Sequence, residues 1–469
     1  MRWLIAAGVV AVAACGSTSS EPAGTPTPNP KPKPSASPLA TTPPPPPPHV
    51  TTGADALLAV TGISATTSDV ALADLQRDYC AGKLAVVDAV QPAADARFHC
   101  HAPADAVTTV AAFIPRAKTA VLVTDLDHTT SQLATLTVDG HDLFADPRGY
   151  PLVAPGADFT GRFTHFILTG VTAITRATGA ACERHGIAWL TANLRDQFAG
   201  ADYVHVSNEV SFKPDCEYKT KDTYQFCSKP ADFQALSDLH VNVVELTGNH
   251  NRDFGDQPFR DTYRWYYEHG FATFGAGLDP ESANAPIILP LAGGKKLGII
   301  GFNESCPLHE CAKQPGEVGA NAYDEAKALA DLDSIRKDYG ADVVMVTVQF
   351  REWDNAAPTK SQAAIAHLLV DHGADLVYGS QAHQLQWLEF YKGKPIYFGI
   401  GNFLFDQVHR TGVRQAFFVH HYFFDGRLVH SAPVWTFMAS DRQPALATPE
   451  QITAEKAIVY KDDLLYAAP

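Results

Sequence analysis

The chain has 469 residues, of which 46% are hydrophobic and 19% charged, and its formal net charge at pH 7 is −15. The apolar content is ample for the buried cores of two or three domains. An acidic chain with no cluster of basic residues is not expected to bind nucleic acid or an anionic lipid surface.

The first 15 residues, MRWLIAAGVVAVAAC, have the pattern of a secretory signal. A basic residue precedes an apolar core that is too short to cross a bilayer, and small residues follow it. Ala13, Ala14, Cys15 and Gly16 also resemble the lipobox of bacterial lipoproteins, which implies lipid on Cys15 and an extracytoplasmic protein anchored to the membrane. An ordinary signal peptide with an incidental cysteine is the alternative.

Residues 16–50 hold 13 of the 33 prolines and end in an unbroken run from Pro43 to Pro48. A segment of this composition is not expected to form a core, and we predict a semi-rigid linker. At about 3.1 Å per residue it would reach on the order of 100 Å. The folded part is therefore predicted to stand away from the membrane on a stalk.

Cysteine spacing predicts disulfides in the remaining chain. Three pairs are close enough in sequence to be linked in an oxidising compartment: Cys80 with Cys100, Cys216 with Cys227, and Cys306 with Cys311. Cys182 would be left unpaired. Zinc binding is the competing interpretation, but no C-x-x-C spacing occurs.

Residues 51–160 alternate short apolar segments with turn residues and are predicted to form a smaller N-terminal α/β domain. Asp125, Asp127 and Thr129 follow an apolar strand, in a layout that resembles haloacid-dehalogenase-type phosphatases. Such an enzyme also needs a later lysine and a carboxylate pair, and because no convincing set follows, a turn rich in Asp and Thr is favoured. The stretches VALADL and TLTVDG bear a weaker resemblance to one lobe of periplasmic solute-binding proteins.

Residues 162–440 alternate predicted strands with predicted helices, as α/β folds do, and residues 441–469 are predicted to be a C-terminal tail. In this class, functional groups collect in the loops that follow strand ends. Polar residues indeed follow the predicted strands at 203–207, 241–246, 342–348 and 374–378.

The block from Gly373 to Gln407 is the most informative part of the sequence. It joins a predicted strand, a loop that holds Gln381 and His383, and two predicted strands around LysGlyLys. GlyAlaAsp at its start and GlyAsnPheLeuPheAsp at 401–406 resemble the capsule-synthesis CapA family. The resemblance implies a fold like that of calcineurin-type metallophosphatases, a four-layer α/β sandwich of two packed mixed sheets flanked by helices. In those proteins about five loops meet at a dinuclear metal centre.

Several residues match motif positions of that family. The resemblance implies that Glu209, Asn249 and His383 are metal ligands. It implies catalytic roles for three more residues, namely His250 as proton donor to a leaving group, Asp253 and Glu352.

Three ligand positions of the family are substituted here. Val171 stands where the family has an aspartate, and Gln349 and Gln381 stand where it has histidines. Valine cannot bind a metal, and a neutral amide oxygen is a weak ligand. The predicted site is therefore incomplete, and we expect a weakly bound divalent cation (Mn, Mg, Ca or Zn) or none.

The family resemblance implies a surface lipoprotein that takes part in the synthesis, binding or export of poly-γ-glutamate or another anionic envelope polymer, with weak or no metal-dependent hydrolysis. Its partners would be that polymer or the synthesis and export machinery. Predicted ligand-binding residues are Arg176, Asn208, Gln349, Arg351 and Gln381, and Arg176, Arg351 and His383 are expected to bind anions in one cleft. An active metal-dependent hydrolase and a solute-binding module in the N-terminal domain are the alternatives. Four aromatic residues are predicted to belong to the core: Trp353, Trp387, Phe403 and Phe405.

Overall fold

The computed structural model describes residues 51–101, 105–219, 224–307 and 309–466. The predicted signal segment, the lipidation site at Cys15 and the proline-rich linker lie outside these ranges. Across the described ranges, no helix combines the length and the apolar character that a membrane span requires.

The N-terminal part is built on short buried strands. Its strands are β1 Leu57–Gly62, β2 Asp69–Val70, β3 Ala85–Val87, β4 Asp105–Val107, β5 Leu122–Asp125, β6 Leu133–Thr135 and β7 Thr137–Val138. Its helices are α1 Leu72–Cys80, α2 Gln91–Phe98 and α3 Val110–Phe113. Five of the strands form one sheet in the order β4-β3-β5-β1-β6. The boundary predicted near residue 160 stays a prediction.

In the turn after β5, the first residue of the acidic motif, Asp125, makes local contacts. Asp125 is buried, and its Oδ1 accepts hydrogen bonds from the backbone N of His128 at 2.9 Å and lies 2.6 Å from the His128 Nδ1. A carboxylate that bonds to its own turn is typical of Asp in turns. The contacts of Asp125 therefore agree with the turn interpretation.

The remaining elements follow in chain order. The strands are β8 Phe163–Leu168, β9 Val171–Thr172, β10 Tyr203–Asn208, β11 Val243–Glu245, β12 Ala272–Phe274, β13 Ala276–Gly277, β14 Ile287–Leu291, β15 Lys295–Asn303, β16 Cys311–Ala312, β17 Gly319–Asn321, β18 Val343–Gln349, β19 Leu376–Ser380, β20 Leu388–Tyr391, β21 Lys394–Tyr397, β22 Asn402–Leu404, β23 Gln415–Phe424, β24 Arg427–Met438 and β25 Pro444–Leu446. The helices are α4 Arg176–His185, α5 Ile187–Thr191, α6 Phe233–Asp238, α7 Asp256–Glu268, α8 Pro280–Ala283, α9 Glu325–Lys337, α10 Lys360–Asp371, α11 Pro449–Val459 and α12 Asp462–Leu465.

Two large mixed sheets hold fifteen of these strands, and β13, β17 and β16 form a separate three-stranded sheet. The first large sheet is nine-stranded and runs β12-β11-β10-β8-β23-β24-β25, with β9 paired to β10 and β22 paired to β9. The second is six-stranded and runs β14-β15-β18-β19-β21-β20. Strands β10 to β12 are parallel, as are β15, β18 and β19, so each sheet gathers several carboxyl ends at one edge.

The two sheets pack face to face between layers of helices. Phe166 and Val243 of the first sheet and Met345 and Tyr378 of the second belong to one buried core between them. Helices α6 and α7 cover the outer face of the nine-stranded sheet, and α9 and α10 cover that of the six-stranded sheet. Strand β18, VVMVTVQ, is buried along its whole length because it has packing partners on both faces. The predicted four-layer sandwich is confirmed.

The predicted cysteine pairing is confirmed as well. Disulfides join Cys80 to Cys100, Cys216 to Cys227 and Cys306 to Cys311, and Cys182 is free and buried.

The predicted C-terminal tail contains regular secondary structure. It holds β25, α11 and α12, and the Tyr466 hydroxyl lies 2.7 Å from the Ser64 Oγ of the N-terminal part. Helix α11 begins with a capping box between Thr448 and Gln451.

Candidate functional site

The candidate site lies where the carboxyl ends of the parallel strands of both sheets meet. Thr247 follows β11 of the first sheet, and its carbonyl accepts a hydrogen bond from the Nδ2 of Asn303 at the end of β15, at 2.7 Å. Gly248 lets this loop approach Glu209 closely, because a Cβ at this position would lie 2.6 Å from the Cα of Glu209. Loops that are far apart in the sequence therefore lie together in one cluster.

Glu209 is a buried carboxyl group at the centre of this cluster. Its backbone N donates to the carbonyl of Thr172 at 3.0 Å, and within the described ranges neither side-chain oxygen has a hydrogen-bond partner. Burial, reinforced by the nearby Glu352 and Glu245, raises the pKa of Glu209 to about 8.

Asn249 and Gln349 bond to each other across the two sheets. The Gln349 Nε2, at the end of β18, donates to the Asn249 Oδ1 at 2.8 Å. The side-chain oxygen atoms of Gln349 and Gln381 are both buried, and neither has a hydrogen-bond partner in the described part of the chain. The amide oxygen that the family resemblance assigns to a metal thus accepts a hydrogen bond from a neutral N–H group.

His250 and Asp253 form a pair beside this bond. The His250 Nδ1 lies 2.8 Å from the Asp253 Oδ2, which also accepts from the backbone N of Phe226 at 2.6 Å. The His250 ring packs on Phe226 with 4.2 Å between centroids. A carboxylate on Nδ1 leaves Nε2 as the nitrogen that can exchange a proton, as the predicted donor role requires.

His383 is a buried imidazole. Its Nδ1 lies 2.8 Å from the Asn402 Oδ1, and its ring stacks on Phe405 with 5.0 Å between centroids. Burial lowers the pKa of His383 to about 4, which favours the uncharged form of the ring. Anion binding by His383 stays a prediction.

The two predicted anion-binding arginines line different pockets. Arg176 pairs with Asp406, and its guanidinium carbon lies 4.2 Å from the ring centroid of Phe226. Its pocket is bordered by the Cys216–Cys227 disulfide, whereas Arg351 lines a separate pocket beyond the end of β18. The expectation of one cleft shared by both arginines is not met.

Burial bears on two further predictions. Asn208 is buried, and its Nδ2 donates to the Val210 carbonyl at 2.8 Å and the Tyr266 hydroxyl at 3.2 Å, so its ligand-binding role stays a prediction. Trp353 is 43% exposed and is not part of the core, whereas Phe403 and Phe405 are buried as predicted.

The residues present do not fit a dinuclear metal centre. Among the described residues, no three His, Cys, Asp or Glu side chains are grouped so that they could hold a metal ion. The predicted ligands are one carboxyl with a raised pKa, one imidazole and an amide oxygen bonded to Gln349. Weak binding of a single cation by buried oxygen atoms stays a prediction.

Sequence reasoning missed Phe226, which packs on both His250 and Arg176. It lies in the segment closed by Cys216 and Cys227, so the predicted disulfide was the available signal. Asn402 was also missed as the partner of His383, although it lies in the motif that carries the family resemblance.

The loops of the candidate site lie within the part of the chain that matches a known protein family. The model of a family described as bacterial capsule synthesis protein PGA_cap matches residues 165–407, just over half of the chain. The PGA biosynthesis protein CapA of Bacillus subtilis (strain 168) is 27% identical over 220 residues, which are 45% of this chain and 55% of that protein. The capsule biosynthesis protein CapA of Bacillus anthracis is 26% identical over 230 residues, 48% of this chain and 56% of that protein. The chain thus spans about half the length of these curated relatives.

One solved structure similar to the chain is a putative 5'-nucleotidase from Staphylococcus aureus. It has 12% sequence identity and a TM-score of 0.38, and the match covers 63% of this chain and 58% of that one. This similarity is too low to assign a function.

Proposed function

The chain belongs to the family of bacterial capsule synthesis proteins, and we propose that it binds or positions an anionic envelope polymer, with poly-γ-glutamate as the first candidate, during synthesis or export. The names of the relatives, which refer to PGA and capsule biosynthesis, support this choice of polymer. Because the chain spans only part of each relative, the polymer and the partners stay proposals.

The observation that carries a binding role over hydrolysis is the bond from the Gln349 Nε2 to the Asn249 Oδ1. It satisfies, with a neutral hydrogen bond, the oxygen that a metal-dependent hydrolase would turn toward a cation. The site keeps its shape through amide contacts between the two sheets.

A complementation experiment tests the proposal. The full chain would be expressed in Bacillus subtilis that lacks its own PGA biosynthesis protein CapA, and released poly-γ-glutamate would be measured. We expect polymer production to return with the wild-type chain and with His250→Ala, because binding does not need the proton donor. In parallel, the purified chain should bind poly-γ-glutamate and not the neutral polymer dextran. Absence of both polymer production and polymer binding, with the chain folded and exported, would refute the proposal.

Metal-dependent hydrolysis is the second candidate, and the pairing of His250 with Asp253 supports it. Complementation that is lost with His250→Ala and hydrolysis of a generic phosphodiester that stops on chelation would favour it. A matched control is His269→Ala, because His269 is an exposed histidine at the end of α7, where its Nδ1 lies 2.8 Å from the Trp265 carbonyl oxygen.

The proposed location is extracytoplasmic, with an anchor at Cys15. A Cys15→Ser chain should be found in the medium, whereas the wild-type chain should stay with the membrane and incorporate labelled fatty acid. Membrane association without the cysteine would contradict lipid anchoring.

A further inference from the structure

A second cavity, of about 340 Å³, opens beside the candidate site. It lies between the end of β18 and the first turn of α10. Its lining residues include Glu304, Phe350, Arg351, Glu352 and Trp353. Its volume is at the lower end of the range typical of small-molecule sites.

One wall of this cavity is an indole that is exposed and held in place. Trp353 is 43% exposed, and its Nε1 donates to the Ala357 carbonyl at 2.9 Å. Phe350 is buried and contributes a second aromatic surface. A large aromatic side chain that is fixed and yet solvent-accessible offers a flat apolar surface to a ligand.

The other walls carry charges of both signs. Within the described ranges, the guanidinium of Arg351 forms no ion pair with any carboxylate, while its backbone N donates to the Glu304 Oε2 at 3.1 Å. That bond holds the Glu304 carboxylate at the cavity, and Glu352 adds a second carboxylate. A simple anion would be repelled by the two carboxylates, and a simple cation would leave the guanidinium without a partner, whereas a ligand with both charges can meet an opposite charge at each end.

We propose that this cavity binds an α-amino acid unit whose ammonium and carboxylate groups are both free. Glu304 and Glu352 would accept hydrogen bonds from the ammonium group, and Arg351 would donate to the carboxylate. The side-chain methylenes of the ligand would lie on Trp353.

The proposed function suggests which ligand meets this description. In a γ-linked glutamate chain, only the amino-terminal unit has an ammonium group and an α-carboxylate on the same carbon. Interior units keep the carboxylate but have an amide nitrogen instead of the ammonium. The cavity is thus suited to the end of such a polymer rather than to its length. This inference rests on the proposed function for the identity of the chain, and on the cavity for the recognition of the zwitterion.

Calorimetric titration of the full chain with the dipeptide γ-glutamylglutamate tests the inference. We expect the wild-type chain to bind the dipeptide and to bind its N-acetylated form at least tenfold more weakly, because acetylation removes the ammonium charge. Arg351→Gln should weaken binding by tenfold or more, and Trp353→Ala by several-fold. Arg264→Gln is the matched control, because Arg264 is an exposed arginine on α7 that lies outside the cavity.

Equal affinity for the free and acetylated dipeptides would overturn the inference, as would undiminished binding by Arg351→Gln. Polymer complementation without any dipeptide binding would overturn it and leave the proposed function intact. Dipeptide binding that needs Arg351, in a chain that neither complements nor binds the polymer, would support the cavity as an amino acid site and refute the proposed function.

Discussion

His421 on β23 is expected to make the fold sensitive to acid. The imidazole is fully buried, its Nδ1 lies 2.9 Å from the Ser431 Oγ, and its Nε2 has no hydrogen-bond partner in the described part of the chain. Burial lowers the pKa of His421 to about 3, and the neighbouring His420 and His430 add to the effect. The side chain is therefore neutral in the folded state at pH 7 and stays neutral well below it.

The sign and size of the effect follow from proton linkage. The pKa of His421 is lower in the folded state than the value near 6.5 of an unfolded histidine, so the unfolded state binds the extra proton. The stability contribution is present at neutral pH and is lost as the pH falls from about 6.5 toward about 3. At about 1.36 kcal/mol per pH unit, the loss between pH 7 and pH 5 is about 2 kcal/mol for this one residue.

Urea unfolding of the wild-type chain and of His421→Gln, each at pH 7 and pH 5, measures this loss. The variant should lose about 2 kcal/mol less of its free energy of unfolding than the wild type over the same pH interval. The quantity compared is the change in the free energy of unfolding between pH 7 and pH 5 for each chain. A variant that is less stable than the wild type at both pH values can therefore still be compared with it. His372→Gln, which replaces an exposed histidine at the end of α10, is the control. Equal losses for wild type and His421→Gln would refute the reasoning.

Three further outcomes are expected. Replacing Cys216 and Cys227 by serine should lower the free energy of unfolding by about 3 kcal/mol in a urea titration, since the disulfide spans 11 residues, and an unchanged midpoint would contradict this. Gly170→Ala should destabilise the fold by more than about 1 kcal/mol, because its Cβ would lie 2.1 Å from the Gly401 carbonyl oxygen, and a thermal melt equal to that of the wild type would argue against the close contact. Elemental mass spectrometry of the purified full chain should find manganese and zinc well below one ion per chain, for the wild type and for Glu209→Gln alike, and near-stoichiometric metal in the wild type alone would show that the substituted loops still form a centre.

The fold was predictable because the same sequence pattern, an apolar strand followed by a polar loop, recurs along the chain. Strands such as β18 are continuous apolar runs, and the polar loops follow them in the order that the family resemblance implies. The disulfides were predictable because each pair is close in sequence and no competing metal spacing exists. Both kinds of signal lie within short stretches of chain.

The site was less predictable because its contacts join distant loops. Nothing local to Trp353 indicates that it is exposed at a cavity, since an aromatic residue after a buried strand is equally compatible with a core position. The separation of Arg176 from Arg351 depends on the disulfide-closed segment that carries Phe226 and on the path of the chain after β18. Such positions are determined by tertiary packing, which local sequence patterns do not predict.

The bond between Gln349 and Asn249 explains how the fold can keep its site without a strong metal centre. Metal ligands contributed by two sheets would tie the sheets together, and replacing a histidine removes that tie unless another contact forms. Here the Gln349 Nε2 reaches the Asn249 Oδ1 across the same gap, and Asn303 bonds to the Thr247 carbonyl beside it. Two neutral hydrogen bonds of about 1 kcal/mol each are far weaker than a metal ligand set, yet they satisfy buried polar groups that would otherwise be left unpaired. Glutamine at position 349 therefore joins the two loops through a neutral amide, which is a weaker metal ligand than an imidazole, and this agrees with the proposed binding role.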